Sequence, residues 1–197
     1  MKPSRLLTTL VLLIALGALI ATTTGLFWPL AGESYAFTSL RGEVVQIQGH
    51  GLYRYEPVSI AAQAIPQDIV TLFVAIPLLL AFLRLGYRAG LRGQLLLAGL
   101  LGYFLYTYMS MAFGSAYNEL FLLYVALFSL SLFAFGLAVA AIDVTSLPTH
   151  FDDALPRRWI AGYLFAGSLF LLLAWLPMST AERGRTPDSA GCGHHRL

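Results

Sequence analysis

Repeated apolar length constrains this 197-residue chain more than any other feature. Five stretches nearly free of charge fill most of it: 6–30, 68–85, 95–114, 119–142 and 160–176. A bilayer core roughly 30 Å thick is crossed by about twenty apolar helical residues. Inside lipid a single segment satisfies its own backbone only as a helix. The expected fold is therefore all-α, a five-helix transmembrane bundle. Charged residues make up 11% of the chain, against about 25% in soluble domains, a deficit that suits helix faces turned to lipid.

Lys2 and Arg5 precede the first stretch, as in a signal peptide. Its apolar run exceeds the roughly 7–15 residues of a signal h-region, and Pro29-Leu30-Ala31 is a poor cleavage site, so an uncleaved first helix is expected, with Trp28 at the far interface. Pro77 should bend the second helix. Arg84, Arg88 and Arg92 lie between stretches two and three, and Arg157 and Arg158 precede the fifth. If all five stretches cross, these residues share one side with Lys2 and Arg5. Positive charge in short loops marks the cytoplasmic face. The expectation is a bacterial inner-membrane protein with a cytoplasmic N-terminus, with the loop 31–67 and the turn Ser115–Asn118 outside.

The outer loop carries an alternating, β-branched run, Glu43-Val44-Val45-Gln46-Ile47-Gln48, then Gly49-His50-Gly51 and a second alternation, Leu52-Tyr53-Arg54-Tyr55-Glu56. This predicts a small extracytoplasmic β-hairpin turning at the glycines, with Tyr53 and Tyr55 against the lipid interface. Val58 to Ala64 could begin the second helix early, as an amphipathic turn carrying Gln63. Pro66 suits a first helical turn, and Asp68 would follow there, where the macrodipole favours an anion.

The densest unusual chemistry runs from Tyr103 to Glu119. Tyr103, Tyr106, Thr107 and Ser110 fall on one helical face by their spacing. They would climb toward the outer surface and meet Asp68 and the loop. The candidate ligand-binding residues are Asp68, Glu119, Tyr106, Tyr117, Asn118 and His50, with Asp68 or Glu119 as a proton or cation site. Each also has an ordinary role, and those roles carry the greater weight. Asn118 looks like an N-cap with Glu119 in the first helical position, interfacial tyrosines form an aromatic belt, and His50 is a turn histidine without a second ligand nearby.

Ala98 with Gly102, Ala134 with Ala138, and Gly162 with Ala166 allow close helix packing. Asp143, Asp152, Asp153 and His150 read as a solvated inner loop. Cys192 is the sole cysteine, which excludes an intrachain disulfide. A net charge of +2 offers no basic surface for nucleic acid. No phosphate-binding, dinucleotide or metalloprotease motif is present, so no cofactor, metal or catalytic residue is assigned. Residues 178–197 form a polar tail ending in Cys192, His194 and His195, a weak metal tract. That tail is expected to be disordered, or to come from a truncated or frameshifted gene.

The segment Leu105–Phe121, with Gly51-Leu52-Tyr53-Arg54-Tyr55-Glu56 and Gln67-Asp68 upstream, resembles a family of bacterial multi-pass integral membrane proteins with no assigned activity. The resemblance covers residues 5 to 176. It implies a membrane bundle and assigns no functional residue. Members of that family continue into further hydrophobic helices, which this tail does not. The function expected is that of a non-enzymatic ligand-binding or accessory subunit with the bilayer as partner, a small ligand at the outer face, and an oligomeric partner left open. Two rivals stand beside it: a small proton- or cation-coupled transporter component using Asp68 and Glu119, and a membrane enzyme acting on lipid or quinone with His50, Asp68 and Glu119 as acid–base groups.

Overall fold

The computed structural model describes residues 4–39, 42, 44–88, 90–143 and 156–183. The chain divides into two units, Met1–Val144 and Thr145–Leu197.

In the first unit, α1 (Arg5–Phe27) opens at Ser4, whose hydroxyl accepts the Leu7 N–H at 3.1 Å. Leu7, Val11, Ile14, Ala18 and Ala21 recur at helical spacing and are buried, while Leu12, Leu16 and Ile20 are exposed. One stripe of α1 therefore enters the core and the other meets the surroundings. Two short strands follow, β1 (Tyr35–Thr38) and β2 (Val44–Ile47), antiparallel with Tyr35 opposite Ile47.

A hairpin is present, but with a different partner from the one expected. The strand at 44–47 pairs with the segment before it, and residues 52–55 form a turn. Gly49 and Gly51 take φ of +74° and +70° and fold the chain back, a conformation open to glycine at no steric cost. The Gln48 and Gly49 N–H groups then bond to the carbonyls of Glu56 and Arg54. Leu52 and Tyr53, instead of alternating across a sheet, sink into a small second core with Ala61 and Ala64, against which Trp28 packs. Tyr53 is thus buried, whereas Tyr55 is exposed with the Arg54 guanidinium 4.6 Å above its ring.

The second helix starts well before Asp68. α2 (Val58–Val70) runs through a π-helical turn (Thr71–Ala75) into α3 (Ile76–Arg88). The Ile76 N–H reaches back five residues to the Thr71 carbonyl. Pro77 has no N–H, and its ring crowds the carbonyl four residues earlier. A widened turn just ahead of it absorbs both defects. Pro66 and Asp68 lie in the interior of α2 and not in a first turn, so the macrodipole does not account for Asp68.

α4 (Leu91–Gly114) and α5 (Phe121–Ala140) complete the unit. The four helical paths close a ring, with α4 against α3 and α5, and α1 against α5, α3 and α2. Ala98, Ala134 and Ala138 are buried in this ring, and a Cβ on Gly102 would touch Phe135 at 3.4 Å, the close packing expected of small residues.

Four helices are long and apolar enough to cross a membrane: Arg5–Phe27, Val58–Gly86, Leu91–Gly114 and Phe121–Ala140. In the second unit, α6 (Arg157–Arg183) continues past Leu176, and its apolar part among the described residues is Arg158–Leu173. That part spans about 24 Å at 1.5 Å per residue. Cys192, His194 and His195 in the tail, and His150, Asp152 and Asp153 in the loop before α6, lie outside the described residues.

Candidate functional site

Polar side chains concentrate where the segment 28–57 and the turn 115–120 meet the ends of α1, α2, α4 and α5. This loop end holds the candidate residues but divides them among separate contacts.

Asp68 is 7% exposed, and its Oδ2 accepts the Tyr53 hydroxyl at 2.6 Å. The turn at Gly49–Gly51 points Tyr53 into the bundle, and the backbone of Gly25 on α1 lies against the same carboxylate oxygen. Burial first, then the neighbouring Tyr124 and Asp68, push the Tyr53 phenol far above its usual range. Tyr53 therefore stays protonated and donates. Around Asp68 stand two further phenols, Tyr108 and Tyr124, with rings stacked 6.3 Å apart. Both are buried; the Tyr108 hydroxyl has no hydrogen-bond partner, and the Tyr124 hydroxyl faces Tyr53 and Asn118.

Glu119 sits apart from Asp68. It lies in a turn before α5, partly exposed, and accepts both terminal nitrogens of Arg54. That bond holds its carboxyl below the usual carboxylate range. Asn118 precedes the helix as expected, but its Oδ1 accepts the Leu120 N–H at 3.0 Å, which places Glu119 outside the helix. Tyr117 is 74% exposed and packs on Phe121 at 5.2 Å. His50 is exposed, 2.9 Å from the Gln48 amide. The acid–base set His50, Asp68 and Glu119 therefore holds three different partners.

Among the described residues, two cavities open at this end. One, of about 260 Å³, lies between α2 and α4 and is lined by Gln63, Gln67, Tyr106, Thr107 and Ser110, with Ile60, Met111 and Gly114 among the apolar walls. The other, of about 250 Å³, lies between α1 and the loop, beside Trp28, Gln48, His50 and Tyr53. Tyr106 thus lines the first and His50 the second. The wall of the first is held in place from behind. Gln67 donates to the Tyr103 hydroxyl at 2.8 Å and to Thr107 Oγ1 at 3.1 Å, and the Thr71 hydroxyl donates to the Gln67 carbonyl.

Several of these residues escaped the reading from sequence. Gln67 on α2 and Thr71 at the start of the π-helical turn are four apart and face Tyr103 and Thr107, four apart on α4; matching those two helical spacings would have found them. Glu56, 4% exposed, accepts the Ala116 N–H at 2.6 Å and so joins the loop to the α4–α5 turn. No local signal marks Glu56 or Gly25. Among the described residues no three His, Cys, Asp or Glu side chains gather as metal ligands would. No family model, curated protein or solved structure matches this chain.

Proposed function

We propose that the chain is a multi-pass membrane protein that binds a small, uncharged amphipathic ligand in the cavity between α2 and α4. The observation that carries this is the lining: amides from α2 and hydroxyls from α4, interspersed with apolar side chains of both helices, and no charged residue. Ligand sites pair a few fixed polar groups with apolar walls in this way, at volumes starting near roughly 300 Å³. An ionic headgroup would find no counter-charge there. Tyr106 is 66% exposed at the rim, where an amphipathic ring suits a bilayer interface.

In this reading α6 supplies a fifth span, the N-terminus is cytoplasmic, and the cavity opens at the outer face of a bacterial inner membrane. The support is the arginine bias: Arg5, Arg84, Arg92 and Arg158 fall on one side under that threading.

Gly114 lines the cavity, and a Cβ added there meets nothing within 4 Å. Gly114→Trp therefore fills the space without displacing the core. Native mass spectrometry with added monoacylglycerol or a short-chain benzoquinone should show an adduct on the wild type and on the surface variant Leu122→Ala, and none on Gly114→Trp. Equal adducts on all three would refute the assignment, and the headgroup preferred identifies the ligand class.

A further inference from the structure

Asp68 lies outside the lining of that cavity. In a helix that crosses a bilayer, a buried carboxylate is costly unless something neutralises it. The Arg54–Glu119 ion pair does not reach Asp68, and among the described residues no basic side chain is paired with it. Its single hydrogen bond comes from Tyr53, which is neutral. Two buried phenols stand near it: the Tyr108 hydroxyl on α4 (2% exposed) has no partner, and the Tyr124 hydroxyl on α5 (3% exposed) faces the Tyr53 hydroxyl and the Asn118 side chain. Both lie within electrostatic reach of Asp68. A buried hydroxyl left without a partner is costly, and here one lies near a carboxylate that holds a single hydrogen bond.

We propose that Asp68, Tyr53, Tyr108 and Tyr124 form a binding site for one small monovalent cation, a proton or Na⁺. The cation neutralises the carboxylate and gives the phenol oxygens a partner. As a proton it sits on Asp68 and is donated to a phenol oxygen; as Na⁺ it takes the carboxylate and phenol lone pairs directly. Because Tyr53 belongs to the loop, occupancy fastens the loop to the bundle.

Other groups face this site. α1 contributes Gly25 and no titratable side chain. α4 adds Tyr103 near Tyr108, and the loop and the turn bring Glu56 and Asn118 near Tyr124. Glu119 also titrates, so Asp68 has to be isolated by difference.

The test is the melting temperature of the detergent-solubilised chain in two series: pH varied without Na⁺, and Na⁺ exchanged for choline at fixed pH and ionic strength. Each is read as wild type minus Asp68→Asn, a neutral isostere that still accepts from Tyr53. A difference that depends on pH alone identifies the proton. One that depends on Na⁺ at fixed pH identifies sodium. A difference flat in both series overturns the proposal. The variant Tyr108→Phe/Tyr124→Phe keeps the carboxylate and should weaken the cation response at least about tenfold, the worth of a hydrogen bond to a charged partner. If those hydroxyls are simply orphans, their removal raises the melting temperature with the midpoint unmoved, and the proposal also fails.

Discussion

A missing carbon atom decides what Asp68 can touch. Gly25 has ordinary helical backbone, so its value lies in space and not in conformational freedom. A Cβ there would overlap Asp68 Oδ2 and lie 3.1 Å from the Tyr53 hydroxyl oxygen. Gly25→Ala should therefore force Asp68 and Tyr53 apart and destabilise the bundle by about 1–3 kcal/mol, the usual cost of overpacking. Shortening the neighbour should relieve it: the Gly25→Ala/Asp68→Ala pair should lose less than the sum of the single variants in thermal melting, because contacting residues couple. Additive losses would show that the clash is absorbed elsewhere. At this scale the sequence was only partly legible. The polar residue types of the loop end were visible, and Asp68 and Glu119 were both singled out. Their partners were not, because Tyr53 and Arg54 lie fifteen and sixty-five residues away in the chain.

Between elements, the loop is fastened at three points: Tyr53 on α2, Glu56 on the Ala116 backbone, and Arg54 on Glu119. The third is at the surface and titrates. Glu119 has a folded-state value below its ordinary 4.5. A depressed carboxyl stabilises the fold above its unfolded value, and that contribution disappears as pH falls through the folded value. Glu119→Gln should therefore lower the melting temperature by at most a few degrees at neutral pH, and the gap should close as pH drops below about 4.5. A gap that persists in acid would assign the effect to packing. The hairpin shows why elements were harder to read than helices. Period-two alternation recurs at 44–47 and at 52–56, and only the glycine turn geometry decides that the second run folds inward. Pro77 marked where the helix would be perturbed; the π-helical turn just ahead of it was not legible, since widening a turn leaves no periodic mark in five residues.

For the whole molecule, apolar length is the most readable signal there is, and it marks out the four helices long and apolar enough to cross a membrane. Orientation rests on arginine placement and is open to direct measurement. In a Cys192→Ser background, Ser34→Cys in the loop should react with a membrane-impermeant thiol reagent in intact cells. Leu91→Cys, at the α3–α4 corner, should react only after permeabilisation. The opposite pattern would invert the topology and put both cavities on the cytoplasmic side.

The inward placement of Tyr53 also sets a schedule for synthesis. Its buried neighbours come from α2 and α5, and Tyr124 is made about seventy residues after Tyr53. At ribosomal speeds of about 5–20 residues per second, that is a wait of roughly 4–14 s. Until α5 arrives, Asp68 has to be inserted without its full set of neighbours, and the loop has nowhere to seat. The closing of this end is thus the last step in building the four-helix unit, and the polar cluster is the part of the chain that depends most on the order in which it is made.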